Sequence, residues 1–175
     1  MKEKTINSTR IYDGKIIQVD KDEIEVGGRK STREVVHNAG GVSVLALDEK
    51  DNVILVKQFR YPSKEELYEI PGGKAECNET LVESGMRELK EESGYVSDNA
   101  IYFGYIYPTV AYSSEIIHLV LTKNCKYEKQ CLDEGEHVEV IKVPFKKALD
   151  MVLNNEIVDG KTMIAILKYN AIKNI

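Results

Sequence analysis

The sequence contains few cysteines and no long apolar run, and these absences restrict the class of protein. Its three cysteines, Cys77, Cys125 and Cys131, are an odd number at spacings that match no zinc or redox pattern. We therefore expect free thiols in a reducing compartment. No apolar run approaches the roughly 20 residues that span a bilayer. Since the N-terminal residues also lack the apolar core of a signal peptide, the sequence predicts a cytoplasmic protein with no membrane partner.

A net positive charge is also absent. Asp and Glu, with 29 residues, outnumber the 24 Lys and Arg residues, and the formal net charge of −5 argues against nucleic acid as the main partner. An acidic protein that handles a phosphate compound needs a cation between the two, so the charge balance is consistent with a bound metal. The 42% apolar and 30% charged fractions are typical of a globular domain.

Short strand patterns and a few helical segments predict an α+β domain. Three short runs of β-branched and polar residues between glycine turns predict an antiparallel β extension over residues 1–39. The remaining residues, 40–175, form the second predicted domain, with strands at 42–47, 53–56, 101–107, 116–122 and 137–143 and helices at 78–93, 145–153 and 161–172. Because strands and helices do not alternate regularly, the pattern favours a layered α/β/α arrangement around a mixed sheet.

The helix predicted from Asn78 to Ser93 has clear end signals. Asn78 is a suitable N-cap, and Glu79 then lies in the first turn, near the positive end of the helix dipole. Gly94 is a suitable C-terminal stop. Gly85 is unusual within the helix, because glycine there costs about 1 kcal/mol of helix propensity.

Three carboxylates crowd one face of this helix just before its C-terminus. Glu88 and Glu92 are one turn apart, and Glu91 lies beside Glu92. They repel one another and the negative helix end, so stability does not explain the placement. A divalent cation would convert the repulsion into attraction, and hard oxygen ligands suit Mg²⁺ or Mn²⁺. The alternative is a solvated acidic face with Arg87 and Lys90 as partial partners.

The segment from Gly73 to Tyr95 matches the pattern known as the Nudix box. Its fixed residues are Gly73, Glu79, Arg87, Glu88, Leu89, Glu91, Glu92 and Gly94. The sequence thus resembles the Nudix hydrolase family, from about Val35 to Lys168. The resemblance implies the Nudix fold, in which a mixed β-sheet is sandwiched between α-helices.

In this family, carboxylates of the box helix hold the metal. The resemblance implies that Mg²⁺, with Mn²⁺ as a substitute, is bound by Glu88, Glu91, Glu92 and the carbonyl of Gly72. The helix and its loop would be oriented by Gly73, Glu79, Arg87 and Gly94. A later loop is expected to carry a glutamate that binds metal or activates water, for which Glu136 fits best and Glu134 is the alternative. The candidate catalytic residues are then Glu91, Glu92 and Glu136.

Flanking residues resemble the branch of the family that hydrolyses ADP-ribose and similar nucleotide sugars. The resemblance implies that Arg60 contacts the substrate diphosphate, to which a planar guanidinium is suited. It also implies that Glu115 binds substrate. Val110 stands where this branch usually has a proline, which leaves the preferred substrate open.

The branch also implies a homodimer, in which the strands of residues 1–39 pair with a second subunit and cap the nucleoside end of the substrate. Arg33 is the candidate substrate contact there, with Tyr12 and Ile16 as further candidates. The expected reaction is Mg²⁺-dependent hydrolysis of the diphosphate bond of a nucleoside-diphosphate sugar. Two alternatives are a nucleoside triphosphate pyrophosphohydrolase of the same family and a non-catalytic nucleotide sensor. The three helix glutamates argue against the sensor.

Overall fold

The computed structural model describes residues 2–132, 135 and 137–173. Contacts between residues divide the chain into two compact units. The first unit is Met1–Gly40 with Tyr107–Ile116, and the second is Gly41–Ile106 with Ile117–Ile175. The segment Tyr107–Ile116 therefore groups with the N-terminal strands, although the sequence pattern predicts it within the second domain.

The first unit is built on a three-stranded antiparallel sheet in the order β1-β2-β3. Its strands are β1 (Lys4–Asp13), β2 (Gln18–Val26) and β3 (Arg29–His37). Val36 at the end of β3 donates to the carbonyl of Tyr112 at 2.7 Å and bridges to Ser113, which attaches the segment Tyr107–Ile116 to this sheet. The sequence analysis missed β1, because all ten of its residues are exposed and it therefore lacks the alternation of a half-buried strand.

The second unit contains an eight-stranded sheet. The strands are β4 (Gly41–Asp48), β5 (Asn52–Arg60), β6 (Glu65–Glu69), β7 (Gly72–Gly73), β8 (Tyr95–Val96), β9 (Ala100–Ile106), β10 (Ile117–Tyr127) and β11 (Glu139–Pro144). The main path is β11-β5-β4-β10-β8, while β6 pairs with β5, β7 with β4 and β9 with β10. Because β4 and β10 are parallel and the other pairs are antiparallel, the sheet is mixed, as the sequence predicts.

Helices cover both faces of this sheet. The helices are α1 (Leu81–Ser93), α2 (Phe145–Leu153) and α3 (Gly160–Ile172). Alternate residues of β4 belong to different cores: Leu45 and Leu47 pack with residues of α2 and α3, while Val44 and Ala46 pack with Leu89 of α1. The predicted sandwich of a mixed sheet between helices is therefore confirmed. No helix in the described part of the chain is long and apolar enough to cross a membrane.

Helix α1 begins two residues later than an Asn78 N-cap would place it. The N-cap is Thr80, whose hydroxyl accepts from the backbone N–H of Glu83 at 3.2 Å, while the Glu83 carboxylate accepts from the backbone N–H of Thr80 at 2.7 Å. This reciprocal capping box satisfies two backbone donors at once, which a single Asn78 cap would not. The helix ends at Gly94 in the left-handed conformation, with φ of 76°, as predicted.

Gly85 lies where α1 packs most closely on the sheet. A Cβ atom at this position would be 3.0 Å from a methyl of Val44 and 3.2 Å from methyls of Val42 and Val120. The absence of a side chain therefore lets the helix backbone approach β4 and β10. This close packing accounts for a residue that is unfavourable by helix propensity alone.

Candidate active site

A Gly-Gly turn brings the backbone next to the acidic face of α1. Gly72 and Gly73 form β7, which pairs with Ser43 and Val42 of β4. A Cβ on Gly72 would lie 2.4 Å from the Ser43 hydroxyl and the Val42 carbonyl, so only glycine fits this approach. A Cβ on Gly73 would lie 2.4 Å from the carboxylate of Glu88. The turn and the helix glutamate are therefore in direct contact.

Arg87 connects the acidic face of α1 to the loop that precedes it. One nitrogen, Nη1, donates to Oε1 of Glu88 and to Oε2 of Glu91, each at 2.8 Å. Nε donates to both carboxylate oxygens of Glu79 at 3.2 Å, and Nη2 donates to the carbonyl of Lys74 at 3.0 Å. Burial lowers the pKa of Arg87, but the hydrogen bonds that it donates to Glu88 and Glu79 outweigh this effect, so the pKa is raised. This guanidinium therefore stays charged and offsets the repulsion among the carboxylates.

Glu79 does not lie in the first turn of α1, where the sequence pattern places it. The helix starts at Leu81, and Glu79 precedes the N-cap. Its carboxylate accepts from the Ser84 hydroxyl at 2.7 Å as well as from Arg87. Its position is therefore held by side-chain hydrogen bonds rather than by the helix dipole.

Glu92 is the most buried glutamate of the acidic face. It is 6% exposed, and its Oε2 accepts from the backbone N–H of Gly72 at 2.9 Å. Its own carbonyl accepts from the side-chain amide of Gln130 at 2.7 Å, and the neighbouring carbonyl of Glu91 accepts from the backbone N–H of Cys131 at 3.0 Å. The side chain of Glu92 is thus held by the Gly-Gly turn, and its backbone is held by the segment after β10.

The described residues enclose a polar cleft of about 400 Å³ at this point. It is lined by Gln58, Arg60, Gly72, Gly73, Lys74, Glu76, Arg87, Glu88, Glu91 and Glu92. The structure thereby brings together seven of the residues that the sequence analysis proposed for the site. Gln58, Lys74 and Glu76 were missed; the last two lie between Gly73 and Glu79, inside the window that the box pattern leaves unspecified.

Other proposed residues lie elsewhere or outside the described residues. Arg33 and Glu115 belong to the first unit, where Arg33 pairs with Glu3 and the backbone N–H of Glu115 donates to the Ser113 hydroxyl at 3.2 Å. Glu134 and Glu136 lie outside the described residues. Their proposed roles in binding and catalysis therefore remain predictions from the sequence.

Arg60 has a buried partner that sequence reasoning missed. Its Nε and Nη2 donate to the two carboxylate oxygens of Glu69 at 2.5 and 2.6 Å. Glu69 is 2% exposed and also accepts from Lys161. Burial raises the pKa of Glu69, but the hydrogen bond from Arg60 and the charge of Lys161 outweigh it and lower the pKa below its usual value. This carboxylate is therefore ionised at neutral pH.

The donors of the cleft suit a divalent cation. Among the residues that the structure describes, no three His, Cys, Asp or Glu side chains are already arranged as a metal site. However, one carboxylate oxygen of Glu88 and one of Glu91 converge on a single positively charged nitrogen of Arg87. Two anionic oxygens that face one cationic atom fit the hard-ligand chemistry of Mg²⁺ or Mn²⁺.

The fold and this cleft define a mixed α/β/α domain with an acidic site on a loop and the helix that follows it. The family model for the NUDIX domain matches residues 37–164, which is most of the chain. The protein therefore belongs to the Nudix family and is a Nudix hydrolase.

Named relatives extend this assignment along the chain. The ADP-ribose pyrophosphatase of Bacillus subtilis is 38% identical over 169 residues, which is 95% of this chain and 91% of that protein. The methanol dehydrogenase activator of Bacillus methanolicus is 33% identical over 167 residues, covering 94% and 90% of the two chains. The GDP-mannose pyrophosphatase of Yersinia enterocolitica is 31% identical over 147 residues, covering 78% and 76%. A solved structure of an ADP compounds hydrolase has the same fold, with a TM-score of 0.85 at 17% identity over 95% of this chain and 91% of that one.

Proposed function

We propose that this protein hydrolyses the diphosphate bond of ADP-ribose or a related nucleoside-diphosphate sugar, with Mg²⁺ as cofactor. The products would be a nucleoside monophosphate and a sugar phosphate. The observation that carries the proposal is the cleft in which the three helix glutamates lie with Arg60, because a diphosphate needs both a cation site and a guanidinium. The relatives named as ADP-ribose and GDP-mannose pyrophosphatases support the same substrate class.

The residues that would hold the metal are Glu88, Glu91 and Glu92, with the carbonyl of Gly72 as a further ligand. Once bound, Mg²⁺ would neutralise phosphate charge and lower the pKa of a water molecule. Mn²⁺, with similar ligand preferences, would substitute for it. Glu88 and Glu91 each accept from Arg87 through one carboxylate oxygen, and either oxygen of each carboxylate would be a ligand for the cation.

The remaining steps fall to side chains of the chain itself. Water would attack one phosphorus of the diphosphate. Arg60 would bind the other phosphate, which is the leaving group, and hold it in line with the attack. A carboxylate would take the proton of the attacking water, and the candidates are Glu91, Glu92 and Glu136. Of the two candidates on α1, Glu92 is the more buried, and its carboxylate is held by the Gly72 N–H. Glu115 and Arg33 are proposed to contact the sugar or nucleoside end.

We further propose a homodimer formed through the first unit. All ten residues of β1 are exposed, and Ile6 and Ile11 are among the exposed large apolar side chains. A second copy would cover them and pair the unpaired edge of β1. Sedimentation velocity at several concentrations tests this, with a single monomer species as the contradicting result. The cytoplasm remains the predicted location.

The function is tested by measuring release of monophosphates from ADP-ribose, GDP-mannose, UDP-glucose, NADH, diadenosine polyphosphates and nucleoside triphosphates, with Mg²⁺ or with EDTA. We expect EDTA-sensitive cleavage of a nucleoside-diphosphate sugar. Glu92→Gln should fold normally and lose about a hundred-fold or more in kcat, because it removes a cation ligand or base. Glu128→Gln is the matched control, since Glu128 pairs only with the exposed Lys90 among the described residues. Wild-type turnover by Glu92→Gln would contradict the assignment, and preferential cleavage of triphosphates would favour the alternative function.

A further inference from the structure

Glu69 lies behind the cleft and holds one edge of Arg60. The carboxylate accepts two hydrogen bonds from Nε and Nη2 of the guanidinium, at 2.5 and 2.6 Å. Glu69 is 2% exposed, whereas the Arg60 side chain is 44% exposed and lines the cleft. The pair therefore has one buried end and one end that faces the cleft.

A second cation completes the buried end of this pair. Lys161, in the first turn of α3, donates to the same carboxylate of Glu69 and lies 3.0 Å from Asp159. The next residue, Thr162, accepts from the backbone N–H of Ile70 at 2.9 Å. Helix α3 is thus hydrogen-bonded to both Glu69 and Ile70. Glu69 thus has two cationic partners, Arg60 on the cleft side and Lys161 on α3.

The β5–β6 hairpin also carries an ion pair at its surface, with which the buried pair can be compared. An exposed pair on the same hairpin, Lys57 with Glu66 at 2.6 Å, has the same separation of nine residues. Placing a carboxylate in the interior costs several kcal/mol of desolvation, which its partners must offset. The buried ion pair is therefore weak evidence that Glu69 stabilises the fold. Its effect on the position of Arg60 is better evidence for the role of Glu69.

The hydrogen bonds to Glu69 determine which part of Arg60 is available to a ligand. Nε and Nη2 of Arg60 each donate a hydrogen bond to Glu69. Within the described residues, Nη1 donates to no protein acceptor. A guanidinium is a rigid planar fork, so fixing one edge fixes the direction of the other. From this geometry, we infer that Glu69 is a positioning residue that presents the Nη1 edge of Arg60 to a diphosphate in the cleft, with Lys161 keeping Glu69 in place. The inference rests on the proposed function, in which Arg60 binds the substrate diphosphate.

A double-mutant cycle with steady-state kinetics on the preferred substrate tests this inference. The variants are Arg60→Ala, Glu69→Gln, their combination, and Glu66→Gln as the matched control from the exposed pair. We expect Glu69→Gln to raise KM by about ten- to a hundred-fold with a smaller effect on kcat, since the guanidinium loses its orientation. The double variant should have a KM within about two-fold of Arg60→Ala alone, because Glu69 acts through Arg60. Glu66→Gln should have the wild-type KM.

Multiplicative effects of the two substitutions, or an unchanged KM in Glu69→Gln, would overturn the inference. If Glu69→Gln does not fold, Lys161→Met decides in its place, with an expected rise in KM and an unchanged KM as the refuting result. Titration with inorganic pyrophosphate separates this inference from the proposed function. If no substrate is cleaved, the proposed function fails, and the inference then requires that Glu69→Gln weaken pyrophosphate binding by no more than Arg60→Ala does and have no added effect in the double variant. Equal binding by wild type and Glu69→Gln would refute it.

Discussion

Gly73→Ala is expected to remove activity while leaving the fold almost intact. The three atoms nearest to a Cβ added at Gly73 would be the carboxylate atoms of Glu88, at 2.4 to 2.6 Å. These atoms are at the far end of a flexible side chain, so the carboxylate can move away without displacing the backbone. The substitution therefore acts on the position of one proposed metal ligand.

The size of the effect follows from these distances. Ordinary contacts of a Cβ begin at about 3.4 Å, so the Glu88 carboxylate must retreat by about 1 Å. A misplacement of this size in a catalytic group costs about a hundred-fold in rate. The bond between Glu88 and Arg87, a partly exposed pair, contributes about 1 kcal/mol or less, so weakening it should cost little stability.

The assay combines kcat/KM on the preferred substrate with the midpoint of thermal unfolding. Gly160→Ala is the matched control, because a Cβ there has nothing within 4 Å and lies in the first turn of α3. We expect a hundred-fold loss of kcat/KM for Gly73→Ala with a midpoint within a few degrees of wild type, and no loss for Gly160→Ala. Full activity in Gly73→Ala would refute the reasoning, because the Glu88 carboxylate would then tolerate displacement. A collapse of the unfolding midpoint would refute it as well, since the effect would then be on the fold.

Two further predictions concern stability. Gly85→Val should lower the unfolding free energy by about 2–3 kcal/mol, because its methyls must enter the close contact with Val44 and Val120; urea unfolding checks this, and a change below 0.5 kcal/mol would contradict the packing argument. Burial raises the pKa of the Cys125 thiol from 9.0 to about 11. Titration of this thiol therefore leaves the unfolding free energy unchanged below pH 9 and lowers it as the pH rises from 9 to 11. Cys125→Ala should reduce the fall in unfolding free energy between these pH values by about 2–3 kcal/mol, and equal pH slopes for the two proteins would contradict this.

The predictable parts of the fold are those whose burial follows a local period. Helix α2, predicted at 145–153, is observed as Phe145–Leu153, because its apolar residues face one core at helical spacing. The fully exposed β1 has no such pattern and was missed. The start of α1 was misplaced although the sequence contains the Thr-x-x-Glu signal, Thr80 to Glu83, that defines its cap.

The candidate site was predictable where it depends on spacing within one helix. Glu88, Glu91 and Glu92 share a face because of helical geometry, and the structure places all three in one cleft. By contrast, the partnership between Glu69 and Lys161 joins residues 92 positions apart, and only tertiary packing brings them together. Sequence reasoning missed that Glu69 holds Arg60 for the same reason, because the two residues are brought together only when β5 and β6 pair.

The pairing of Arg87 with three glutamates bears on whether the chain needs a metal in order to fold. Because the guanidinium already offsets the carboxylates of Glu79, Glu88 and Glu91, the last turns of α1 carry their own counterion. The chain can therefore fold before any metal arrives, unlike small domains that acquire their structure only with the ion. We therefore expect the same yield of folded protein with and without added metal, whereas the proposed reaction would require it.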